Sequence, residues 1–205
     1  MVFHVKLSPA EAIERYRELL ERYHPTLDLL SDRGLAELER LLAEADRYAA
    51  VVARVAPGAR TVLDVGSGAG LPGVVVAVRC PGSRVVLSER RRKRASFLTL
   101  VAGQLGLGNV EVRAGDVTGL VGLEADVVVA QAVGTLLEVV RLTKGVALPG
   151  AVFVSRKGPG WRYEVDEVEA ELGAPVAVVA EEALGHRGTL VALRLAGGAV
   201  CRSSA

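Results

Sequence analysis

A glycine-rich turn, Thr-Val-Leu-Asp-Val-Gly-Ser-Gly-Ala-Gly-Leu-Pro-Gly at residues 61–73, is the feature that most restricts the fold of this 205-residue chain. A short β-branched run carries Asp64 near its end, glycines follow at alternate positions, and an apolar stretch resumes at Val74. Glycine lacks a Cβ and tolerates positive φ, so backbone N–H groups and a helix N-terminus can face a ligand directly. The segment therefore predicts the strand, turn and helix of a nucleotide-binding site.

The residues before this turn are predicted to be helical. A capping box that begins at Ser8 predicts a helix over about Pro9 to Tyr23, ended by Pro25. A second amphipathic segment covers about 35–55. We assign 1–58 to an N-terminal helical segment packed on the main domain, 59–197 to a ligand-binding domain and 198–205 to a flexible tail.

Seven apolar, strand-like runs follow, at 61–65, 84–88, 109–113, 126–130, 151–155, 175–180 and 189–195. Helix-length segments separate most of them, which is the βαβ rhythm of a parallel sheet covered on both faces. The last two runs are joined by a loop too short for a crossover helix, so we expect them to be antiparallel. The chain is predicted to be an α/β protein with a Rossmann-like, seven-stranded, mostly parallel sheet whose last strand is antiparallel. This architecture resembles the class I S-adenosylmethionine-dependent methyltransferases.

The glycine turn fits two kinds of cofactor site. Gly66, Gly68 and Gly70 satisfy G-x-G-x-G, while residues 68–73 also satisfy the dinucleotide fingerprint G-x-G-x-x-G. Asp64 favours the first, because a carboxylate suits a cofactor with a sulfonium and an amino group and repels a pyrophosphate. We therefore predict S-adenosylmethionine as the cofactor, with NAD or NADP as the alternative.

Further cofactor contacts are predicted after the next two strands. Glu89 ends the second strand, where an acid can accept both ribose hydroxyls of an adenosine cofactor. Asp116, after the third strand, is placed to accept from the adenine amino group while Val117 covers the ring. The full set of predicted cofactor-binding residues is Asp64, Gly66, Ser67, Gly68, Gly70, Leu71, Glu89, Asp116, Val117, Thr118 and Gln131.

A narrower resemblance becomes visible over residues 60–160. The loop Asp-Val-Gly-Ser-Gly-Ala-Gly-Leu-Pro-Gly at 64–73, with its Leu-Pro-Gly ending, is similar to the RsmG or GidB family of bacterial methyltransferases. Residues 89–98 resemble the family's D-x-x-x-K-R-x-x-F-L helix start, Asn109-Val-Glu111 matches as well, and Arg156-Lys157-Gly158 resembles its L-K-G. The resemblance implies methylation of a guanine N7 in small-subunit ribosomal RNA.

The chain also departs from the family pattern. The Tyr-Asn-Leu-Thr and Arg-His-x-x-Asp-Ser segments of the family are absent from residues 41–50, and Arg-x-Glu is more usual around Asp116. After the fourth strand, Ala-Gln-Ala-Val-Gly at 130–134 replaces Ser-Arg-Ala-Val-Ala, so that an active-site Arg becomes Gln131. The cofactor half is therefore matched better than the acceptor half.

The chemistry predicted for this site needs no general base. Methyl transfer from a sulfonium is an in-line displacement, and guanine N7 offers a free lone pair. The sequence has no obvious base after the fourth strand and no metal-ligand pattern, and Cys80 is predicted to be a packed small residue. Gln131 and Lys157 are the candidate catalytic residues.

Cations and aromatic residues are the candidates for contacts with RNA. Trp161 and Tyr163 could stack on a base, and His186 with Arg187 resembles the Arg-His placement of the family. The predicted RNA-binding cations are Arg90, Arg91, Arg92, Lys93, Arg94, Arg156 and Lys157. A solvated Arg-rich face and an aromatic lid packed on helices are the alternatives.

Composition restricts how the protein binds RNA and where in the cell it acts. The formal charge is only +1, so affinity for ribosomal RNA or the small ribosomal subunit must come from a local patch. Two cysteines and an N-terminus without a signal-peptide pattern predict a cytoplasmic protein that needs neither membrane nor metal. Three alternatives stay open: the ribosomal RNA methyltransferase, a paralogue with another acceptor such as a small molecule, and a non-catalytic relative that binds cofactor or RNA.

Overall fold

The computed structural model describes residues 7–185 and 188–196. Its helices are α1 (Pro9–Leu27), α2 (Asp32–Ala36), α3 (Leu38–Val55), α4 (Gly73–Arg79), α5 (Arg92–Leu105), α6 (Leu136–Thr143) and α7 (Trp161–Leu172). Its strands are β1 (Thr61–Val65), β2 (Arg84–Glu89), β3 (Val110–Ala114), β4 (Ala125–Ala130), β5 (Ala147–Lys157), β6 (Val176–Ala183) and β7 (Thr189–Leu195).

The strands form one seven-stranded sheet in the order β3-β2-β1-β4-β5-β7-β6. The pairs among β1 to β5 are parallel, whereas β7 is antiparallel to both β5 and β6. The predicted architecture, with its antiparallel last strand, is confirmed. The order reverses between β1 and β4, and ligands of open α/β sheets bind in the crevice at such a point.

Two layers of helices cover the sheet. On one face, Tyr16 of α1 and Tyr48 of α3 pack with α4, α5 and strand residues such as Leu87. On the other face, α6 and α7 pack on residues such as Val128 and Phe153. Helices α1 and α3 therefore share a hydrophobic core with the sheet.

Two predictions about the first helices were wrong. The capping box at Ser8 is formed, but α1 continues through Pro25 to Leu27. Pro25 lies in the last turn and lacks the N–H of an i→i−4 bond, but the helix continues two residues further and ends where Asp28 turns left-handed at φ 48°. The segment predicted as one helix over 35–55 is divided between α2 and α3 at Glu37, whose φ and ψ of −108° and 20° depart from helical values.

Candidate functional site

A cleft with a cavity volume of about 280 Å³, open to solvent, lies at the carboxyl ends of β1, β2 and β4. This size is close to the lower end of the usual range for small-molecule sites. Its walls are polar on the β2 side and apolar on the β4 side. The lining residues are Val65, Gly66, Gly68, Ser88, Glu89, Arg90, Arg91, Arg94, Gly115, Asp116, Val117, Ala132, Val133 and Leu142.

The turn after β1 forms the floor of this cleft. Gly66 has a φ of 66°, and a Cβ there would lie 3.2 Å from Cγ2 of Val133, so the turn and the segment after β4 approach closely. Ser67 is buried: its N–H donates to the Ser88 carbonyl at 2.9 Å and its hydroxyl to the Asp64 carbonyl at 3.1 Å. Both predicted residues thus shape the cleft through the backbone.

A tyrosine from α1 supports the same turn from below. Gly70 has a φ of 104°, and a Cβ there would crowd the Tyr16 hydroxyl at 2.7 Å. That hydroxyl donates to the Ala69 carbonyl at 2.8 Å, and Tyr16 is fully buried. Leu71 is half-buried and leads into α4. Gly70 and Leu71 therefore belong to the packing beneath the turn, and neither lines the cleft.

Asp64 lies beneath the cleft and does not line it. Its side chain is buried, and Oδ2 accepts from the Gly73 N–H at the start of α4, at 3.1 Å. Oδ1 is buried without a hydrogen-bond partner. Burial, opposed by Ser67 and the Gly73 N–H and assisted by Glu89, raises the pKa of Asp64 to about 7. Its direct contact is with the helix start, where a carboxylate is favourable.

Glu89 is the acid at the centre of the cleft. Its Oε2 accepts from the Gly68 N–H at 2.8 Å, and Oε1 accepts from the Arg91 N–H at 2.7 Å. The side chain is buried yet lines the cleft. A carboxylate has about four acceptor positions, so two backbone donors leave capacity for the hydroxyls of a ligand.

The turn after β3 lines the outer wall of the cleft. Asp116 Oδ1 accepts from the Thr118 N–H at 3.0 Å and from the Thr118 hydroxyl at 2.8 Å, which lowers the pKa of Asp116. Val117 is buried and lines the cleft, whereas Thr118 is exposed and contacts it only through Asp116.

The basic run divides between the cleft and the solvent. Arg90, Arg91 and Arg94 line the cleft, and Arg94 donates to the Asp28 carbonyl at the end of α1. Arg92 and Lys93 are exposed on the first turn of α5 and do not line it. Three of the five cations therefore line the cleft and two lie outside it, and their joint contact with RNA stays a prediction.

Gln131 belongs to a polar cluster on the α3 side of the sheet. Its amide Nε2 donates to Glu44 Oε1 at 3.0 Å, and the Arg156 guanidinium lies 3.2 Å from the same oxygen. The Glu44 side chain is 5% exposed, whereas that of Arg156 is 23% exposed. The Tyr48 hydroxyl joins the two strands, because it donates to the Ala130 carbonyl at 3.3 Å and accepts from the Arg156 N–H at 2.7 Å.

Lys157 lies on the opposite face from Arg156, because successive side chains of a strand alternate. Its ammonium is buried, donates to the Gly134 carbonyl at 2.9 Å and pairs with Glu164 at 2.9 Å. Both of these partners of Lys157 belong to the protein, so a direct contact of Lys157 with acceptor or RNA stays a prediction. The pleat of β5 also separates Lys157 from Arg156, although the two were expected to act together.

The remaining candidates have different surroundings. Trp161 is buried beneath the Arg162 guanidinium, which lies 4.4 Å from the centre of its ring, and this agrees with the alternative of an aromatic lid packed on helices. Tyr163 is 76% exposed. Cys80 is half-buried against the Ala49 carbonyl, as a packed residue should be. His186 and Arg187 lie outside the described residues.

Sequence reasoning missed Glu44, Tyr16, Tyr48 and Val133. The two tyrosines occupy apolar positions of amphipathic helices, where their hydroxyls can still reach backbone groups. Glu44 could have been noticed as an acid next to Ala45, within the apolar stripe of α3.

Neither a metal-ligand cluster nor a membrane-spanning helix occurs within the described ranges. Among residues 7–185 and 188–196, no group of three or more His, Cys, Asp or Glu side chains could hold a metal ion. Across the same part of the chain, no helix is long and apolar enough to cross a membrane.

Comparisons with known proteins agree with the geometry. The model of the GidB family, described as rRNA small subunit methyltransferase G, matches residues 9–183. Ribosomal RNA small subunit methyltransferase G of Leptothrix cholodnii is 32% identical over 165 residues, which cover 80% of this chain and 76% of that protein. Its counterpart in Acidothermus cellulolyticus is 38% identical over 148 residues, which cover 69% and 66%.

Solved structures share the fold at low identity. The O-methyltransferase TomG of Streptomyces achromogenes, in complex with SAM, superposes with a TM-score of 0.60 at 17% identity, covering 92% of this chain and 90% of that one. A mutant of MtNAS in complex with S-adenosylmethionine gives a TM-score of 0.61 at 23% identity, covering 90% and 72%.

Proposed function

Because the chain belongs to the GidB family of rRNA small subunit methyltransferases, we propose that it transfers a methyl group from S-adenosylmethionine to a guanine N7 of small-subunit ribosomal RNA. Membership confirms the predicted family, the methyltransferase class and the cofactor. The guanine, its N7 atom and the small subunit are the proposed part. The observation that carries the proposal is the match of the family to residues 9–183, which include the whole lining of the cleft.

The residues of the cleft fit this cofactor. Glu89 offers carboxylate acceptor positions suited to two ribose hydroxyls, and we propose that Asp116 accepts from the adenine amino group beside the apolar Val117. Gly66 and Gly68 lack side chains where the backbone must approach the ligand. Asp64 contributes through its hydrogen bond to the start of α4.

When bound, the cofactor supplies an electrophilic methyl carbon, and the chain has to align the nucleophile and exclude water. Guanine N7 attacks with its own lone pair, so no residue has to remove a proton. This agrees with the end of β4, where Ala132 and Val133 line the cleft and provide no base. We propose that Gln131 acts at the acceptor side as a hydrogen-bonding amide.

We propose that exposed cations hold the RNA. Arg92 and Lys93 project from α5 beside the cleft, and Arg156 lies at the carboxyl end of β5, where ligands of such sheets bind. Arg90, Arg91 and Arg94 line the cleft itself, between cofactor and RNA. We place the reaction in the cytoplasm, where ribosomal subunits are available.

A different acceptor is the second candidate. The Gln131 amide and the Arg156 guanidinium share one carboxylate, Glu44, in a chain that carries Gln at a family Arg position. This arrangement changes the hydrogen-bonding groups beside the acceptor, so it favours a paralogue that methylates another RNA site or a small molecule.

The deciding experiment supplies labelled S-adenosylmethionine with intact small subunits, with naked small-subunit RNA and with large-subunit RNA as a control. We expect label only in the small-subunit samples, at one N7-methylguanine found by mass mapping. Methyl label at another atom would instead support the second candidate, a methyltransferase with a different acceptor. Binding of cofactor without transfer to any ribosomal RNA would overturn the proposal.

A further inference from the structure

We propose that Lys157 and Glu164 are positioning residues that fix the segment after β4, residues 131–135, against the glycine turn. The proposal rests on the proposed function, because it concerns how the acceptor is aligned with the cofactor. The two charges form a pair at 2.9 Å on the α7 side of the sheet, with side chains 5% and 25% exposed. Neither residue lines the cofactor cleft.

Both members of the pair also hold backbone groups at the end of this segment. The Lys157 ammonium donates to the Gly134 carbonyl at 2.9 Å. The Glu164 Oε2 accepts from the Leu136 N–H, at the first position of α6, at 2.7 Å. One ion pair, between the buried Lys157 of β5 and the partly exposed Glu164 of α7, thereby holds the Gly134 carbonyl and the Leu136 N–H, two residues apart.

The segment held in this way forms the apolar wall of the cleft. Ala132 and Val133 line it, and Val133 approaches Gly66 of the glycine turn. Ala132 has a φ of 57°, a left-handed conformation that is unfavourable for a residue with a Cβ. Such a conformation persists only where the surrounding structure enforces it. The contacts of Lys157 and Glu164 with the neighbouring backbone help to hold Ala132 in this conformation.

Because the pair fixes this segment, the rate of methyl transfer should depend on the pair. In-line transfer needs the reacting atoms aligned to a fraction of an ångström, and a displacement of about 1 Å can cost about 100-fold in rate. Loosening residues 131–135 would move this apolar wall and, with it, Gln131, which we propose acts at the acceptor side. It would leave Glu89 and Asp116, which contact the adenosine end of the cleft, in place.

Stability and positioning can be separated by design. Removing one member of a buried pair leaves an unpaired charge and is strongly destabilising, whereas replacing both by apolar residues of similar size is often neutral. The double variant Lys157→Met with Glu164→Met therefore removes both backbone anchors without leaving a buried charge. The variant Lys157→Met with Glu164→Gln retains a carbonyl oxygen for the Leu136 N–H. Arg141→Ala breaks the exposed pair with Glu171, which also joins α6 to α7, and is the matched control.

The measurements are kcat and KM with ribosomal RNA, affinity for S-adenosylhomocysteine, denaturant unfolding and amide exchange at Leu136. For the Met/Met variant we expect kcat to fall about 100-fold, a smaller loss of cofactor affinity, faster exchange at Leu136, and a lower stability against denaturant that still leaves the protein folded in its absence. The Met/Gln variant should recover part of the rate, and Arg141→Ala should behave as wild type.

Unchanged kcat with unchanged exchange at Leu136 would overturn the proposal, as would a loss of kcat that only follows the unfolded fraction. If the wild type binds cofactor but methylates no ribosomal RNA, the proposed function has failed. Exchange at Leu136 in the Met/Met variant then still decides whether the pair holds the segment.

Discussion

The hydroxyl of Tyr16 in α1 donates a hydrogen bond to the carbonyl of Ala69 in the glycine turn, at 2.8 Å. The two residues are 53 positions apart, and the tyrosine side chain is fully buried. Burial raises the pKa of Tyr16 well above its ordinary value, so the hydroxyl keeps its proton and remains a donor. The first helix is thus attached directly to the floor of the cofactor cleft.

Replacing Tyr16 by Phe should weaken both the fold and the cleft. The substitution leaves the buried Ala69 carbonyl without its donor, which costs about 1–3 kcal/mol of unfolding free energy. Denaturant unfolding and calorimetry with S-adenosylhomocysteine measure the two effects. Tyr163→Phe is the control, because Tyr163 is 76% exposed. Equal stability of the two variants would contradict the role given to the bond.

Asp64 should make stability depend on pH. Its pKa is raised to about 7 by burial, from an ordinary value of 3.8. Between these values the folded protein keeps a proton that the unfolded chain has lost, so this contribution is full below pH 3.8 and is lost as the pH rises to about 7.

The variant Asp64→Asn should flatten that dependence, because its amide does not titrate and its oxygen can still accept from the Gly73 N–H. Urea unfolding midpoints at several pH values from about 4 to about 8 would measure it. Parallel curves for the two proteins would show that Asp64 does not titrate in this range.

Gly73→Ala should be strongly destabilising. A Cβ at this position would overlap both Asp64 Oδ2 and Leu87 Cδ2, and both neighbours are buried. Overpacking of this kind costs about 1–3 kcal/mol. Gly103→Ala is the matched control, since Gly103 lies inside α5 with open space around it. That change should stabilise the helix by about 0.5–1 kcal/mol, so unfolding free energies should move in opposite directions.

Glu89→Gln should reduce affinity for the adenosine part of the cofactor. The amide replaces one carboxylate oxygen by a donor, although the Gly68 and Arg91 N–H groups both need acceptors. Hydrogen bonds to charged groups contribute about 1.5–3 kcal/mol, so affinity should fall about 10- to 100-fold. Calorimetry with S-adenosylhomocysteine and with methylthioadenosine, which lacks the amino-acid tail, should show equal losses. A loss confined to S-adenosylhomocysteine would assign Glu89 to the tail instead.

Arg92→Ala combined with Lys93→Ala should weaken RNA binding without affecting the cofactor. Both side chains are exposed and lie outside the cleft. Each lost phosphate contact should lower the slope of log affinity against log salt by about 0.7–0.9. The exposed Lys144→Ala, at the end of α6, serves as control. An unchanged slope would remove these cations from the RNA-binding surface.

Local sequence patterns were sufficient to predict most of the fold. The predicted strands at 61–65 and 189–195 agree with β1 and β7 residue for residue. The alternation of strands and helices gave the parallel sheet with its reversed last strand. The prediction for Pro25 was wrong, because α1 continues two residues past this proline before it ends.

Contacts between distant residues could not be predicted in this way. Gln131 was identified as a departure from the family pattern, but its partner Glu44 lies 87 positions away on another helix. Arg156 and Lys157 were treated as one pair of cations, although the pleat of β5 sends them to opposite faces.

The sequence alone determined the glycine turn, the class of cofactor and the order of elements, because these depend on residues that are neighbours along the chain. Tertiary structure decided which of the candidate groups face the cleft. It buried Asp64 under α4, divided the basic run between cleft and solvent, and turned Lys157 toward Glu164. The physical reason is that desolvation and hydrogen bonding depend on how helices cover the two faces of the sheet, which brings together residues far apart in sequence.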